Sequence, residues 1–286
     1  MSKISIVTAF YDIGRGDWNT NVNKNGGPLP HYLQRSVDRY IQNFSHLTKL
    51  DTEIIVFTST DLVSKIQKVS DKIKVLPYDV FSSNEDKMKK IETIQKNESF
   101  LKNVNPSQVR NPEYWSPHYV LVTNLKAFFV NKAIEDNLIN NEMVAWIDFG
   151  YCRDMNKIPK NGKWDYEFNE EKIHLFNYKN CDQASIAEAV YNNNVYILGA
   201  KIIAHKKNWP KMNKLMEESF YDLYELNLID DDQGLLLHSY LKNSSIFELH
   251  KIPDHQLGYD PFVLFQKFNV HKQNETNDLI IIKTHE

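Results

Sequence analysis

The stretch VAWIDFGYCRD at residues 144–154 decides the fold class of this chain. Its apolar start predicts a buried strand that ends at Asp148, and Gly150 then allows the backbone to turn away. A buried strand that ends in a carboxylate is typical of the carboxyl edge of an α/β sheet, where such folds bind ligands. A turn or a helix cap is the alternative role for Asp148.

The residues before this strand, 124–140, have apolar side chains at helical spacing and Lys and Glu on the opposite face. The apolar positions are Leu125, Phe128, Phe129, Ala133, Ile134 and Leu138. We therefore expect a helix that leads into the strand, with Lys126 in its first turn.

The rest of the chain alternates strand and helix patterns, which predicts parallel crossovers in one compact α/β unit. The predicted strands are 4–10, 53–58, 73–76, 172–178, two pieces within 194–204 around Gly199 and Ala200, 247–251 and 279–283. The predicted helices are 32–44, 81–101, 209–226, 235–241 and a short one after 58–61. No internal repeat or low-complexity linker divides the 286 residues.

Composition excludes several classes of protein. A formal net charge of -3 and a pI near 6.4 predict no nucleic-acid partner. No window approaches eighteen apolar residues, so we expect no transmembrane segment. Two cysteines are too few for a disulfide framework, and residues 4–10 resemble a core strand more than a signal peptide. A reduced, cytoplasmic setting is the expectation.

A loop with two glycines, YDIGRGDW at residues 11–18, follows the first predicted strand. Nucleotides dock at such loops in doubly wound folds because small residues let backbone N–H groups approach phosphate. The loop is neither a dinucleotide-binding fingerprint nor a Walker loop. Arg15 could pair with a diphosphate, and a plain surface loop is the alternative.

The order of these features resembles that of GT-A type glycosyltransferases. More specifically, IVTAFYDIGRGDW (residues 6–18), WIDFGY (146–151) and DDQ (231–233) resemble the bacterial HtrL/YibB family over nearly the whole chain. The resemblance implies a single GT-A-like, Rossmann-like domain (1–286) with a mixed, mostly parallel sheet flanked by helices. It further implies a nucleotide-sugar-binding half (1–150) and an acceptor-side half (151–286).

The resemblance also assigns roles to particular residues. Asp231 or Asp232 is the general base that accepts the acceptor hydroxyl's proton, and capping the next helix is the alternative role for either. The residues expected to bind the nucleotide sugar are Thr8, Phe10, Asp12, Arg15, Asp17, Lys126, Asp148, Gly150 and Arg153.

The wider GT-A pattern has a second Asp where this chain has Gly150. Asp148 with diphosphate oxygens and waters could still hold Mn²⁺ or Mg²⁺, and His250 or His255 could add a ligand. Alternatively, Arg15 and Arg153 neutralise the diphosphate without a metal.

The predicted function is transfer of a sugar from a UDP-sugar to a surface glycan or glycolipid, such as lipopolysaccharide or capsule. The protein would act in the cytoplasm or at the inner face of the cytoplasmic membrane, as a peripheral protein. The main alternative is a non-catalytic nucleotide-sugar-binding or glycan-assembly protein. A metal-dependent phosphoesterase ranks last because the sequence has no cluster of closely spaced His and Asp ligands.

Overall fold

The computed structural model describes residues 3–18, 23–24, 27–164, 166–252 and 260–262. Within these ranges, seven strands form one sheet in the order β3-β2-β1-β4-β6-β5-β7. The strands are β1 (Ile4–Phe10), β2 (Ile54–Thr58), β3 (Ile73–Pro77), β4 (Met143–Ile147), β5 (Ile173–Asn177), β6 (Lys201–His205) and β7 (Phe247–Lys251). Only β6 among them runs antiparallel to its neighbours. The predicted α/β class with a mixed, mostly parallel sheet is confirmed.

Helices cover both faces of the sheet, which explains why β1 and β4 are buried at every position. The helices are α1 (Val37–Leu47), α2 (Val63–Gln67), α3 (Glu85–Gln95), α4 (Glu98–Asn103), α5 (Pro117–Asn124), α6 (Lys126–Glu135), α7 (Ile186–Asn192), α8 (Trp209–Glu225) and α9 (Asp232–Lys242). Ile6 packs with Phe44 of α1 and Ile66 of α2, whereas Val7 packs on the opposite face with Phe129 of α6. This alternation along β1 places one hydrophobic core on each face of the sheet.

Most predicted elements are present, and the differences have local causes. The helix predicted at 32–44 begins only at Val37, because the Ser36 hydroxyl accepts from the Arg39 N–H as its N-cap. The helix predicted at 81–101 divides into α3 and α4, where the Asn97 side chain caps the second piece. Of residues 194–204, where two strand pieces were expected, only those from Lys201 onward form a strand, β6, and neither α5 nor α7 was predicted. The strand predicted at 279–283 lies outside the described residues.

Residue 150 is not a boundary in the sheet. β6, which follows residue 150 in the chain, pairs directly with β4, which precedes it, and lies between β4 and β5. The division into a donor half (1–150) and an acceptor half (151–286) therefore stays a prediction about function. None of the helices described is both long enough and apolar enough to cross a bilayer.

Candidate functional site

A cleft of about 280 Å³ opens at the carboxyl ends of β1 and β4, beside the start of β6. The end of a parallel strand is where α/β folds place their ligands, so the cleft is where the sequence pattern around Asp148 predicts a site. Four chain segments line most of it: 9–15, 148–153, 198–200 and 231–233.

The floor of the cleft is built around the ammonium group of Lys126. Its Nζ lies 2.8 Å from Asp148 Oδ1 and 2.9 Å from Asp232 Oδ2, and it donates to the Gly199 carbonyl at 2.9 Å. The Lys126 side chain is only 4% exposed, whereas that of Asp148 is 37% exposed. One buried cation therefore ties together α6, the end of β4, the approach to β6 and the start of α9.

Burial and charge compete at these groups. Burial alone lowers the pKa of Lys126, but the Asp148 and Asp232 carboxylates outweigh it, so the pKa is raised and the ammonium stays charged. Burial raises the pKa of Asp232 to about 7, against the opposing effect of Lys126. A carboxyl group with that pKa can accept or release a proton near neutral pH.

Asp148 is held in place from two sides. The Trp146 indole N–H donates to Asp148 Oδ1 at 2.7 Å, and the Asp148 backbone N–H donates to the Ala200 carbonyl at 2.9 Å. The strand end therefore fixes the direction of the carboxylate before any ligand binds.

Asp231 is the N-cap of α9. Its Oδ1 accepts from the Gln233 backbone N–H at 3.0 Å, and its Oδ2 accepts from the Tyr119 hydroxyl at 3.2 Å. The sequence left the capping and base roles open between Asp231 and Asp232. The structure gives the cap to Asp231 and the ion pair with Lys126 to Asp232.

Further acids lie buried behind Asp231. Asp230 is 6% exposed and Glu113 is 4% exposed, and Glu113 Oε1 has no hydrogen-bond partner among the described residues. Burial, followed by the charge of Asp231, raises the pKa of both Asp230 and Glu113 well above the usual range. The protonation of Asp230 and Glu113 is thus coupled electrostatically to the cleft through Asp231.

Three arginines give part of the cleft lining, the arginine side, its positive charge. Arg15, Arg35 and Arg153 all contribute to the lining. Arg15 Nη1 donates to the Tyr40 hydroxyl at 2.8 Å, and its guanidinium lies 5.7 Å from the centre of the Tyr119 ring. Guanidinium groups pair well with phosphate oxygens, so this wall suits an anionic ligand.

Two glycines of the cleft are required by close packing. A Cβ at Gly199 would lie 1.5 Å from Asp232 Oδ2, and one at Gly150 would lie 2.4 Å from the Tyr40 ring. Gly199 thus lets Asp232 reach Lys126. Tyr40 fills the space that a side chain at 150 would need, which accounts for Gly150 where the GT-A pattern has an Asp.

The cleft contains most of the predicted site residues: Phe10, Asp12, Arg15, Lys126, Asp148, Gly150, Arg153, Asp231 and Asp232. Thr8 does not line it, since its side chain is fully buried within β1. Asp17 lies in the short helical turn Arg15–Asp17, outside the lining. Sequence reasoning missed Arg35, Tyr40 and Tyr119, and no strand-end pattern marks them.

The predicted metal ligands do not converge. His250 lies on β7, three strands from β4, or about 14 Å at the usual spacing. His255 lies outside the described residues. Asp148 keeps an exposed carboxylate in the cleft, which fits a hard cation whose remaining ligands are phosphate oxygens and water. The cleft does not fit a cation held by Asp148 and His250 together.

Comparison with known proteins agrees with the sequence resemblance. A family model described as "Bacterial protein of unknown function (HtrL_YibB)" matches residues 2–267. Protein HtrL of Escherichia coli (strain K12) is 40% identical over 255 residues, covering 87% of this chain and 88% of that protein.

Three solved structures are similar at low identity. Mouse xyloside xylosyltransferase 1 in its apo form gives a TM-score of 0.40 at 10% identity, over 86% of this chain and 84% of that one. The glycosyltransferase GlyE of Streptococcus pneumoniae TIGR4 gives 0.41 at 10% identity, over 87% and 45%. The inositol-1-phosphate CTP transferase from T. maritima gives 0.39 at 11% identity, over 87% and 85%.

Proposed function

The chain belongs to the HtrL_YibB family of bacterial proteins, and we propose that it is a glycosyltransferase that uses a nucleotide-sugar donor. The observation that carries the proposal is the ammonium of Lys126, bound by Asp148, Asp232 and the Gly199 carbonyl at the floor of the cleft. It joins a fixed positive charge to two carboxylates at the edge where α/β sheets bind ligands.

The donor's diphosphate would lie against the arginine side of the cleft. Arg15, Arg35 and Arg153 supply positive charge for the phosphate oxygens. The rings of Phe10 and Tyr40 border the same space and offer surfaces for a base. We propose a UDP-sugar as the donor and a surface glycan or glycolipid as the acceptor.

The reaction needs positive charge at the leaving group and a base at the acceptor. The acceptor hydroxyl oxygen attacks the anomeric carbon, the bond from that carbon to the phosphate oxygen breaks, and the nucleoside diphosphate leaves. Preorganised cations stabilise the charge that develops on the diphosphate, a role for Lys126 and the arginines. Asp232 accepts the hydroxyl proton: Lys126 holds its Oδ2 in position, and burial raises its pKa to about 7.

A divalent cation such as Mn²⁺ or Mg²⁺, bound with the diphosphate, would supply further charge there, with Asp148 as its protein ligand. If the arginines suffice, removal of divalent metal will leave turnover unchanged. If the cation is needed, chelation will abolish turnover in the wild-type protein.

Gly150 favours a second function. Because Tyr40 occupies the space beside Gly150, the segment Asp148–Gly150 after β4 has one carboxylate where the corresponding motif of GT-A enzymes commonly has two. A protein that binds a nucleotide sugar without transferring it would retain the arginine side and lack turnover.

Two measurements test the proposal. Thermal shift with a panel of nucleoside diphosphates and divalent metals detects binding, and release of nucleoside diphosphate from UDP-sugars detects turnover. We expect Asp232→Asn to lower the turnover rate by about 10²-fold or more while diphosphate binding persists. Asp61→Asn is the matched control, because Asp61 is exposed and does not line the cleft.

The pH dependence of turnover identifies the base. Because the proposed base must be ionised, the wild-type rate should rise with pH through about 7, the pKa of Asp232. Binding of UDP without turnover of any donor would support the binding protein instead. An absence of binding to every nucleotide would eliminate both functions.

A further inference from the structure

A second group of ligand-type side chains lies at the edge of the sheet, between β5 and β7. His174 of β5 pairs in register with Glu248 of β7, and His250 lies two residues further along the same face. His174 is 1% exposed and the Glu248 side chain is 43% exposed. The group therefore has a buried side and an opening to solvent.

Hydrogen bonds fix the tautomer of His174. Its Nε2 lies 2.9 Å from the Asn169 carbonyl oxygen, which can only accept, so Nε2 carries the proton. The lone pair of Nδ1 then points toward His250 Nε2, 2.9 Å away. A ring whose other N–H donates to a backbone carbonyl is the usual arrangement of a metal-binding histidine.

The distances suit a small tetrahedral ion. Ligand atoms of a zinc ion with bonds of about 2.0–2.1 Å lie about 3.3 Å apart. His174 Nδ1 lies 2.9 Å from His250 Nε2 and 3.8 Å from Glu248 Oε2, and all three ligand atoms lie within 4.8 Å of one another. Small rotations of the exposed Glu248 and of His250 would bring all three to that separation.

We propose that His174 Nδ1, His250 Nε2 and the Glu248 carboxylate bind Zn²⁺, which fastens the edge strand β7 to β5. Two imidazoles and one carboxylate form a set that zinc favours over Mg²⁺ or Mn²⁺. Without the ion, the His250 Nε2–H group donates a hydrogen bond to His174 Nδ1. Zinc binding at His250 Nε2 requires the other neutral tautomer of His250, in which Nδ1 carries the proton.

This site is separate from the cleft. β6 and β5 lie between β4 and β7, and none of the three ligands lines the cleft. Lys201 of β6 also faces this side of the sheet, with its Nζ 4.1 Å from the centre of the Phe176 ring and donating to the Asp260 carbonyl. Burial lowers the pKa of Lys201 to about 7, so Lys201 weakens the attraction for a second cation only in its protonated form, and the Glu248 carboxylate supplies the negative charge of the site.

Calorimetry of the full chain with Zn²⁺, after removal of metal with a chelator, tests the proposal. We expect one Zn²⁺ per chain, a rise in unfolding temperature on binding, and about tenfold or greater loss of affinity in Glu248→Gln. His250→Gln should bind more weakly still. Because Glu248 is exposed, its variant remains interpretable even if the buried His250 variant fails to fold.

Glu142→Gln is the matched control, since Glu142 is exposed and contacts a single histidine, His205, at 3.3 Å. It should bind Zn²⁺ as the wild type does, and so should Asp148→Asn in the cleft. Equal zinc affinity in the wild type and Glu248→Gln would overturn the proposal. An anomalous zinc peak in crystals at any place other than between β5 and β7 would overturn it too.

Discussion

Lys126 is the residue on which the cleft depends most, because it is the buried partner of two carboxylates. Replacing it with methionine leaves Asp232 buried and unpaired. Removing one partner of a buried ion pair costs about 3 kcal/mol or more, so we expect a loss of that size in the free energy of unfolding of Lys126→Met at neutral pH. Urea unfolding measures it.

The pH dependence separates this cause from lost packing. With Lys126 present, burial already raises the pKa of Asp232 to about 7, so the wild type and Lys126→Met lose stability in parallel between about pH 4 and 7. Without Lys126 that pKa rises further, so the deficit of Lys126→Met should grow as pH rises above 7. Lys132→Met, in the same helix but in a partly exposed i,i+4 pair with Asp136, should lose about 0.5 kcal/mol or less. A deficit that does not vary with pH would contradict the buried-charge explanation.

Gly150 shows how packing overrides a familiar motif. A Cβ there would lie 2.4 Å from a ring carbon of Tyr40, whose hydroxyl is held by Arg15. We expect Gly150→Ala to lower the unfolding free energy by about 1–3 kcal/mol, as overpacking usually does. The same change in a Tyr40→Ala background should cost much less.

Gly16→Ala is the comparison variant, because its nearest heavy atom would be 3.6 Å away, an ordinary contact. If Gly150→Ala is as stable as Gly16→Ala, the Tyr40 ring moves aside easily. The steric reason for the missing second Asp would then fail.

At the scale of elements, the start of α9 links stability to the cleft through the Asp231 cap. Removing an N-cap costs about 1 kcal/mol, so Asp231→Ala should lose about that much unfolding free energy. Asp231→Asn should retain it, because Asn caps equally well. Asp154→Ala, which removes the cap of the single turn Met155–Lys157, is the comparison and should lose less. Equal stability of Asp231→Ala and Asp231→Asn in thermal unfolding would mean that the cap contributes nothing.

Buried strands and long helices were predictable because their patterns are dictated by burial alone. β1 and β7 have the predicted bounds, and α8 ends one residue earlier than predicted. Residues 194–200 could not be assigned in this way. They approach β5 through an isolated bridge, Asn177 with Ile197, and no period in the sequence distinguishes that from a strand. The seven-residue α7 is too short for its helical period to stand out.

The cleft was predictable where strand ends specify it and unpredictable where helices pack onto it. The sequence marks the strand and helix boundaries at which four of the site residues lie: Asp148 follows β4, Lys126 begins α6, and Asp231 and Asp232 lie at the start of α9. Tyr40 and Tyr119 reach the cleft only because α1 and α5 pack beside β1 and α9, which is a tertiary property. The same limit applies to the predicted metal ligand His250, because no local sequence pattern reveals where its strand, β7, lies in the sheet.

At the scale of the whole molecule, the net charge of -3 conceals a concentration of acids in the interior. Glu113, Asp230, Asp231 and Asp232 are all at most 8% exposed, and burial raises the pKa of each. The positive charge of Lys126 offsets part of this pKa rise at Asp231 and Asp232, the two members of the group that line the cleft. Glu113 is at the far side, with Oε1 unpartnered among the described residues. The acids therefore make folding depend on pH.

Glu113→Gln isolates this dependence. A carboxyl group whose folded pKa is raised stabilises the fold below its unfolded pKa, about 4.3, and that stability is lost as pH rises toward the folded pKa. The wild type should thus lose stability relative to Glu113→Gln as pH rises above about 4.3, by at most about 1.4 kcal/mol per pH unit. Urea unfolding of both proteins at a series of pH values measures the difference. Glu188→Gln, an exposed change on α7, should follow the wild type throughout. Parallel stability curves for Glu113→Gln and the wild type would mean that Glu113 is ionised and solvated in the folded protein, and that its protonation is not coupled to Asp231.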